Sequence, residues 1–368
     1  MEGSGAVVNE NSTNSTVPCS PFAGRDYAIV AAISSASALV SVILCTGVIV
    51  LMVLFKKYNF FIQRLILYLT IVALAEAVAV TLHRVDYNGV NSATEGFCVF
   101  IGFVDQTTSW AILIAISCIT VNLMLNAVFH KRTEKFEKIY FILIFVFPIT
   151  FNWIPFIELA YGSAGAWCWI RSENKDCSSF TFGVVLRFVL WYVPLYVILI
   201  ILTVIYIIIL YKITKDRRRW AGKFDPESQQ LKEQMQKEVK PLIVYPLIYL
   251  LINVVPLINR IHNTVSPNNP ELALWILHAL LFPLQGGIIA IAFTLDPQTL
   301  RRLRPRQIWA ACQDCCGKKG IHEYPIERGK TESFLDYEFE IPAARNEIDR
   351  KEKEMNFQQY EGEGEQEM

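Results

Sequence analysis

Long, uninterrupted apolar blocks are the feature that most limits how this chain can fold. The sequence has 368 residues, of which 53% are hydrophobic, and most of these lie in seven blocks. A helix needs roughly 20 apolar residues to cross about 30 Å of hydrocarbon, whereas a membrane β-barrel would show alternating segments of about ten residues. The pattern predicts an all-α fold with seven spans: Ala28–Phe55, Phe61–His83, Cys98–Val128, Ile139–Tyr161, Phe180–Tyr211, Pro241–Ile261 and Leu272–Leu295.

Basic residues collect in alternate connections between the blocks and so predict the orientation. Cytoplasmic connections are enriched in Lys and Arg. An odd number of spans with this bias predicts an N-terminus outside and a C-terminus inside. The basic residues that stand out between spans three and four, and then between spans five and six, are Lys131, Arg132, Arg217, Arg218, Arg219, Lys237 and Lys240.

The segments outside the spans predict four regions. Residues 1–26 form an outer tail, in which Asn11 and Asn14 open two glycosylation sequons. Residues 27–297 form the seven-transmembrane domain. Residues 298–317 are predicted to form a short juxtamembrane amphipathic helix followed by candidate palmitoylation cysteines. Residues 318–368 are acidic, poor in apolar residues and predicted to be disordered. The candidate palmitoylation cysteines within residues 298–317 are Cys312, Cys315 and Cys316.

Four of the nine cysteines fall on the predicted outer face, where disulfides form. Cys98 opens span three and Cys168 lies in the loop after span four, so the expected bridge between them would hold that loop over the top of span three. The partnership of Cys19 with Cys177 rests on parity alone. Four cysteines allow three pairings, and the sequence does not choose among them.

Ionisable and aromatic residues near the outer halves of the spans are candidates for ligand binding, because charges inside a membrane are costly. Asp105 and Arg187 lie at similar depths in spans three and five, so they are hypothesised to meet in one pocket. A purely structural ion pair is the alternative. Because these charges are of both signs, they do not predict whether the ligand is a cation or an anion. The full set of candidates is Asp105, Arg187, Trp110, Trp169, Glu158 and Arg260.

Polar residues deeper in spans three, six and seven suggest a network that could rearrange as the helices move. The candidates are Asn122, Asn253, Gln285 and Gly286, the last of which lets helices approach closely. The alternative is that these groups only hold the helices together.

Three motifs carry a family resemblance. Trp-Cys-Trp-Ile at 167–170, YPLIYLLINVVPLINRI at 245–261 and FPLQGG at 282–287 occur in this order. Together with seven spans and the cysteine positions, they resemble a G-protein-coupled receptor of the cyclic-AMP-receptor-like branch, which is related to the secretin and adhesion receptors. The resemblance implies an extracellular ligand, a heterotrimeric G protein and membrane lipids as partners, at the plasma membrane. It implies no cofactor and no enzymatic activity, and it makes the basic connections candidates for contact with the G protein.

Other classes fit the sequence less well. Span three has no Asp-Arg-Tyr and span seven has no Asn-Pro-x-x-Tyr, as rhodopsin-like receptors would have. Span seven also has no lysine for a retinal Schiff base. A transporter or channel without G-protein coupling is the remaining alternative, although the chain shows no internal repeat of the kind that many transporters have.

Overall fold

In the computed structural model the chain is a bundle of long helices with one short hairpin. The described residues are 25–59, 61–87, 93–129, 133–164, 167–174, 178–220, 245–259, 261–262 and 271–295, with isolated positions between 299 and 311. Each of the first three spans is a single helix: α1 (Arg25–Leu54), α2 (Phe61–Tyr87) and α3 (Ala93–Ala127). They are long and apolar enough to cross a membrane, as the sequence predicts.

Span four is less regular than predicted. It comprises α4 (Glu137–Phe145), a turn, α5 (Ile149–Asn152) and a 3-10 turn over Ile154–Phe156. The predicted end at Tyr161 is wrong, because that residue begins a strand. Pro148 and Pro155 explain the breaks, since a proline cannot donate to the carbonyl four residues before it.

The last three spans complete the bundle. Span five combines α6 (Thr181–Arg187), a π-helical turn over Phe188–Tyr192 and α7 (Val193–Trp220). Span six contains α8 (Tyr245–Asn259) in its described part. Span seven is α9 (Leu272–Thr294), with Pro283 inside it.

The packing makes α3 the central helix, because it buries the largest share of its length among the long spans. Its core side chains include Ile112, Leu113 and Ile116, which are fully buried. In contrast, α7 exposes a row of branched apolar residues that includes Ile200 and Val204. An apolar outer surface of this kind suits lipid rather than water as the surroundings.

A two-stranded antiparallel hairpin lies between spans four and five. Strand β1 (Tyr161–Ser163) pairs with β2 (Cys168–Ile170), so that Gly162 is opposite Trp169. Two strands of three residues are too short to give a period-two pattern, so the sequence predicts no strands here. We call this side of the bundle the hairpin end.

Candidate ligand-binding cavity

The hairpin is fastened to α3 by a covalent bond and by close packing. Cys98 and Cys168 form a disulfide with Cα atoms 5.3 Å apart, as expected. One turn further along α3, a Cβ on Gly102 would lie 3.2 Å from the backbone N and Cα of Trp169. Glycine therefore allows the strand to rest directly on the helix, and the disulfide keeps it there. Cys19 and Cys177 lie outside the described residues.

Pro194 shapes the neighbouring span. It has no N–H, so it cannot donate to the carbonyl of Leu190, four residues earlier. Two side chains of α3 donate to this carbonyl instead: Trp110 Nε1 at 2.8 Å and Gln106 Nε2 at 3.5 Å. The π-helical turn ends just before Pro194, and such turns are common at functional sites. The arrangement joins spans three and five through buried hydrogen bonds.

Below the hairpin, the spans enclose a cavity of about 70 Å³. Cavities need about 10–15 Å³ per water by such a measure, so this one has room for a few waters or a small ligand. The wall draws on α1, α2, α3, β2, span five, α8 and α9. Its residues include Ser34, Asp105, Gln106, Ser109, Trp167, Trp169, Trp191, Tyr192, Tyr196, Asn253, Pro256, His278 and Pro283.

Trp169 links the hairpin to both α3 and span five. Its Nε1 donates to Gln106 Oε1 at 2.5 Å, and its ring meets that of Tyr192 edge-on at 5.8 Å between centroids. The guanidinium of Arg187 lies 5.1 Å from the Trp169 ring centroid. The indole is therefore held on several sides and presents a fixed wall to the cavity.

The hypothesised ion pair between Asp105 and Arg187 is not formed among the described residues. Asp105 lines the cavity and is only 7% exposed, and its Oδ1 has no hydrogen-bond partner in the described part of the chain. Arg187 Nε instead donates to the carbonyl of Ile170 at 2.6 Å. Equal depth in two helices does not fix the direction in which each side chain points.

The other candidates for ligand binding differ in where the structure places them. Trp169 lines the cavity. Trp110 packs edge-on against Phe151 and Trp191 and is not part of the described wall. Glu158 is exposed, in the turn that follows span four. Arg260 lies outside the described residues.

Charge near the hairpin is balanced between Arg187 and Glu173. Burial raises the pKa of Glu173 above its usual value, and the positive charge of Arg187 partly lowers it again. Burial also raises the pKa of Tyr161, and the charge of Asp105 adds to this effect. Tyr161 is therefore neutral at ordinary pH, and its hydroxyl donates to the carbonyl of Asn152 at 2.7 Å.

A buried carboxylate next to the cavity joins three helices. Ser109 Oγ of α3 donates to Glu76 Oε1 at 2.7 Å, and Gln285 Nε2 of α9 donates to Glu76 Oε2 at 3.5 Å. Of the predicted network, only Gln285 enters this cluster. Asn253 donates to the carbonyl of Tyr249 in its own helix, and Asn122 accepts from Thr133.

The contact between α1 and α9 lies at a second proline. Pro283 cannot donate to the carbonyl of Ala279. Ser37 Oγ of α1 lies 3.2 Å from this carbonyl, but its single hydrogen also faces the nearer carbonyls of Ile33 and Ser34, both at 2.9 Å. Ser41 Oγ donates to Pro283 O at 2.6 Å and accepts from Gly287 N at 3.1 Å.

Gly286 lies at a similarly close contact, because a Cβ there would come within 3.2 Å of Cys45 Sγ and of Ala73 Cβ. The expectation that this glycine lets the helices approach closely fits that geometry.

At the opposite end of the bundle, charged side chains connect α2 to α4. Arg64 makes a two-pronged ion pair with Glu137, with Nε–Oε1 at 2.5 Å and Nη2–Oε2 at 2.7 Å. Tyr68 also donates to Glu137, at 3.3 Å. Lys57 is buried and donates to Thr299 at 2.5 Å, which fastens the connection after α1 to the segment after α9.

The candidates for coupling and modification fall largely beyond the described part. Arg217, Arg218 and Arg219 belong to the last turns of α7, and their side chains are not described. The remaining candidates lie outside the described residues: Lys131, Arg132, Lys237, Lys240, Asn11, Asn14, Cys312, Cys315 and Cys316.

Several wall residues were not foreseen from the sequence. Trp191, Tyr192 and Tyr196 surround Pro194 in span five and line the cavity. The sequence does contain an indication of these residues, since a proline inside a span marks a distortion that can turn adjacent side chains inward. Periodicity could not find them, because the π-helical turn shifts the face on which they lie.

Comparison with known proteins identifies relatives of the chain. The family described as slime mold cyclic AMP receptor matches residues 24–310. Cyclic AMP receptor-like protein A of Dictyostelium discoideum is 24% identical over 295 residues, which cover 79% of this chain and 70% of that protein. The crystal structure of squid rhodopsin is similar with a TM-score of 0.55 at 14% identity, and the match covers 89% of this chain and 96% of rhodopsin. At that identity the likeness to rhodopsin shows the fold alone.

Proposed function

The chain belongs to the slime mold cyclic AMP receptor family, and from this premise we propose that it is a plasma-membrane receptor that passes an extracellular signal to a heterotrimeric G protein. The fold is a seven-transmembrane helical bundle, and the protein is a multi-pass membrane protein. In the proposed orientation the N-terminus and the hairpin end face outward, and the C-terminus faces the cytoplasm.

One observation supports this function most strongly. The cavity wall includes Pro256 of α8 and Pro283 of α9, together with Tyr192 and Leu195 on either side of Pro194. A ligand in the cavity would therefore touch spans five, six and seven at the points where prolines interrupt their backbone hydrogen bonds. Helices bend most readily at such points.

The proposed mechanism follows from that placement. A ligand shifts a two-state bundle only by as much as its affinity differs between the two states, and a few kcal/mol are sufficient. In the proposal, contact near the three prolines favours one set of helix angles, and movement of spans five, six and seven opens a cleft at the opposite end. The basic side chains at 131–132, 217–219, 237 and 240 then meet the G protein.

The Glu76 cluster supports a role in switching. Its hydrogen bond to Ser109 is short, whereas the one to Gln285 is long at 3.5 Å. We propose that α9 leaves this cluster when the bundle rearranges and that α2 and α3 stay joined.

The test is a second-messenger assay in cells that express the chain with a panel of G-protein chimeras. Fractionated extracellular medium supplies the ligand. We expect at least one chimera to respond, and the response to disappear when Trp169 is replaced by Ala at unchanged surface expression.

The alternative is a transporter or channel. Substrate accumulation in proteoliposomes without any G protein, combined with no second-messenger response from any chimera, would favour the transporter or channel.

A further inference from the structure

The charge of the cavity wall is one-sided in the described part of the chain. Asp105 supplies a carboxylate whose Oδ1 has no hydrogen-bond partner among the described residues. The other polar wall residues, which are neutral or can be neutral, are Ser34, Gln106, Ser109, Asn253 and His278. The described wall contains no Lys and no Arg.

The nearby arginine does not supply the missing positive charge. Arg187 donates to the Ile170 carbonyl, lies over the Trp169 ring and interacts with Glu173. These contacts direct the guanidinium toward the hairpin, and Arg187 is not among the residues of the described wall. A buried carboxylate is costly unless it is paired or protonated. A cation bound in the cavity would therefore supply the charged partner that Asp105 needs.

Much of the remaining wall is aromatic, and most of its rings come from the hairpin and span five, with Phe282 and His278 added by α9. The other apolar wall residues are Val80, Leu195, Pro256, Leu257, Ala279 and Pro283. Trp169 meets Tyr192 at 5.8 Å between ring centroids, and Tyr192 stacks with Tyr196 at 6.3 Å. Trp191 also lines the cavity, and Trp167 packs beside His278 at 5.3 Å. Aromatic faces carry negative electrostatic potential, and they attract cations, quaternary ammonium groups above all.

We propose that the cavity binds a small organic cation, a protonated or quaternary amine, with Asp105 as its counter-ion and the aromatic rings around its substituents. The inference rests on the proposed receptor function and specifies the ligand class of the same site. It runs against the ligand that the names of the relatives suggest. The phosphate of cyclic AMP is an anion, and it would face Asp105 with no cation in the described wall to offset the repulsion.

The probes that separate these possibilities are choline, its neutral carbon isostere 3,3-dimethylbutan-1-ol, and cyclic AMP. Each is added to the full chain purified in detergent, and the thermal unfolding temperature is followed as a function of probe concentration. A ligand that binds only the folded state raises this temperature. We expect choline to raise it in a saturable way, and the isostere and cyclic AMP to leave it unchanged.

Two variants locate the effect. Asp105→Asn keeps the size of the side chain and removes its charge, so we expect choline affinity to fall at least tenfold while the protein stays folded. Asp105→Glu keeps the charge and is expected to retain part of the response. The matched control is Glu134→Gln, because Glu134 is an exposed carboxylate that is not part of the described wall, and the response of this variant should equal that of the parent chain.

Four results would overturn the proposal: equal shifts with choline and its isostere, an undiminished choline response in Asp105→Asn, a response to cyclic AMP with none to choline, or no response to any of the three probes. Because the assay contains no G protein, cation binding without second-messenger output would contradict the receptor function alone. Signalling without cation binding would contradict the ligand class alone.

Discussion

Trp110 donates its indole N–H to the carbonyl of Leu190, which Pro194 leaves without its usual donor. A buried carbonyl that loses its partner costs about 1–3 kcal/mol. Trp110→Phe leaves this carbonyl only the longer contact with Gln106 Nε2 at 3.5 Å, so we expect the variant to lower the free energy of unfolding in detergent by about 1 kcal/mol, the lower end of that range. Trp153→Phe is the control, because Trp153 is 53% exposed and donates only to Thr150 in its own span.

Pro194→Ala tests whether the proline is the cause. Alanine restores an N–H at position 194, so the Leu190 carbonyl no longer depends on Trp110. In the Pro194→Ala background we expect Trp110→Phe to lower the free energy of unfolding clearly less than it does in the parent chain. Equal costs in the two backgrounds would show that Trp110 stabilises the protein through packing alone.

The disulfide gives a second prediction. Cys98→Ser and Cys168→Ser should each lower stability by about 2–4 kcal/mol, because the bridge constrains a long loop. The double variant should be no less stable than either single variant, since all three variants lack the same disulfide. Surface expression and unfolding temperature are the measurements, and Cys118→Ala, at a buried free cysteine, is the control. Additive losses would contradict the interpretation.

The Glu76 cluster leads to a prediction about signalling. Gln285→Leu removes the donor that links α9 to Glu76, so we expect basal second-messenger output to change at unchanged surface expression. Ser109→Ala breaks the link between α2 and α3 instead and should mainly lower stability, by about 1 kcal/mol. If Gln285→Leu leaves signalling unchanged, the cluster serves only to hold the helices together.

The Arg64–Glu137 pair allows a double-mutant cycle. Both side chains are 28% exposed, so solvent screens the attraction, and we expect a coupling energy of at most about 1 kcal/mol in spite of the two-pronged geometry. Arg64→Gln, Glu137→Gln and the double variant are compared by unfolding at low and high salt. A coupling that does not weaken with salt would contradict an ionic origin.

Hydropathy predicts the spans of this protein well, because length and apolar content alone decide whether a helix can cross a bilayer. The predicted boundaries of α1 and α9 differ from the observed ones by a few residues at most. The method fails in span four, where Pro148 and Pro155 divide an apolar run that composition presents as continuous. Local backbone chemistry decides the outcome there.

The cavity was harder to predict, since it depends on how each helix is rotated about its axis. Asp105 and Trp169 could be predicted as wall residues because a charge inside a span and a tryptophan in the loop after span four are both conspicuous. The hypothesised Asp105–Arg187 pair is not formed among the described residues, because depth along a span carries no information about the direction in which a side chain points. Tyr192 and Tyr196 were missed because the π-helical turn changes the periodicity on which a helical face is inferred.

The replacement of a backbone donor by side chains at Pro194 also limits how this sequence can diverge. Pro194 is tolerable in an apolar environment because side chains of another helix, Trp110 above all, donate to the carbonyl of Leu190. Losing Trp110 alone would leave that carbonyl with only the long contact to Gln106, whereas losing Pro194 and Trp110 together would restore an ordinary helix. Descendants of this chain should therefore keep or lose Pro194 and Trp110 together.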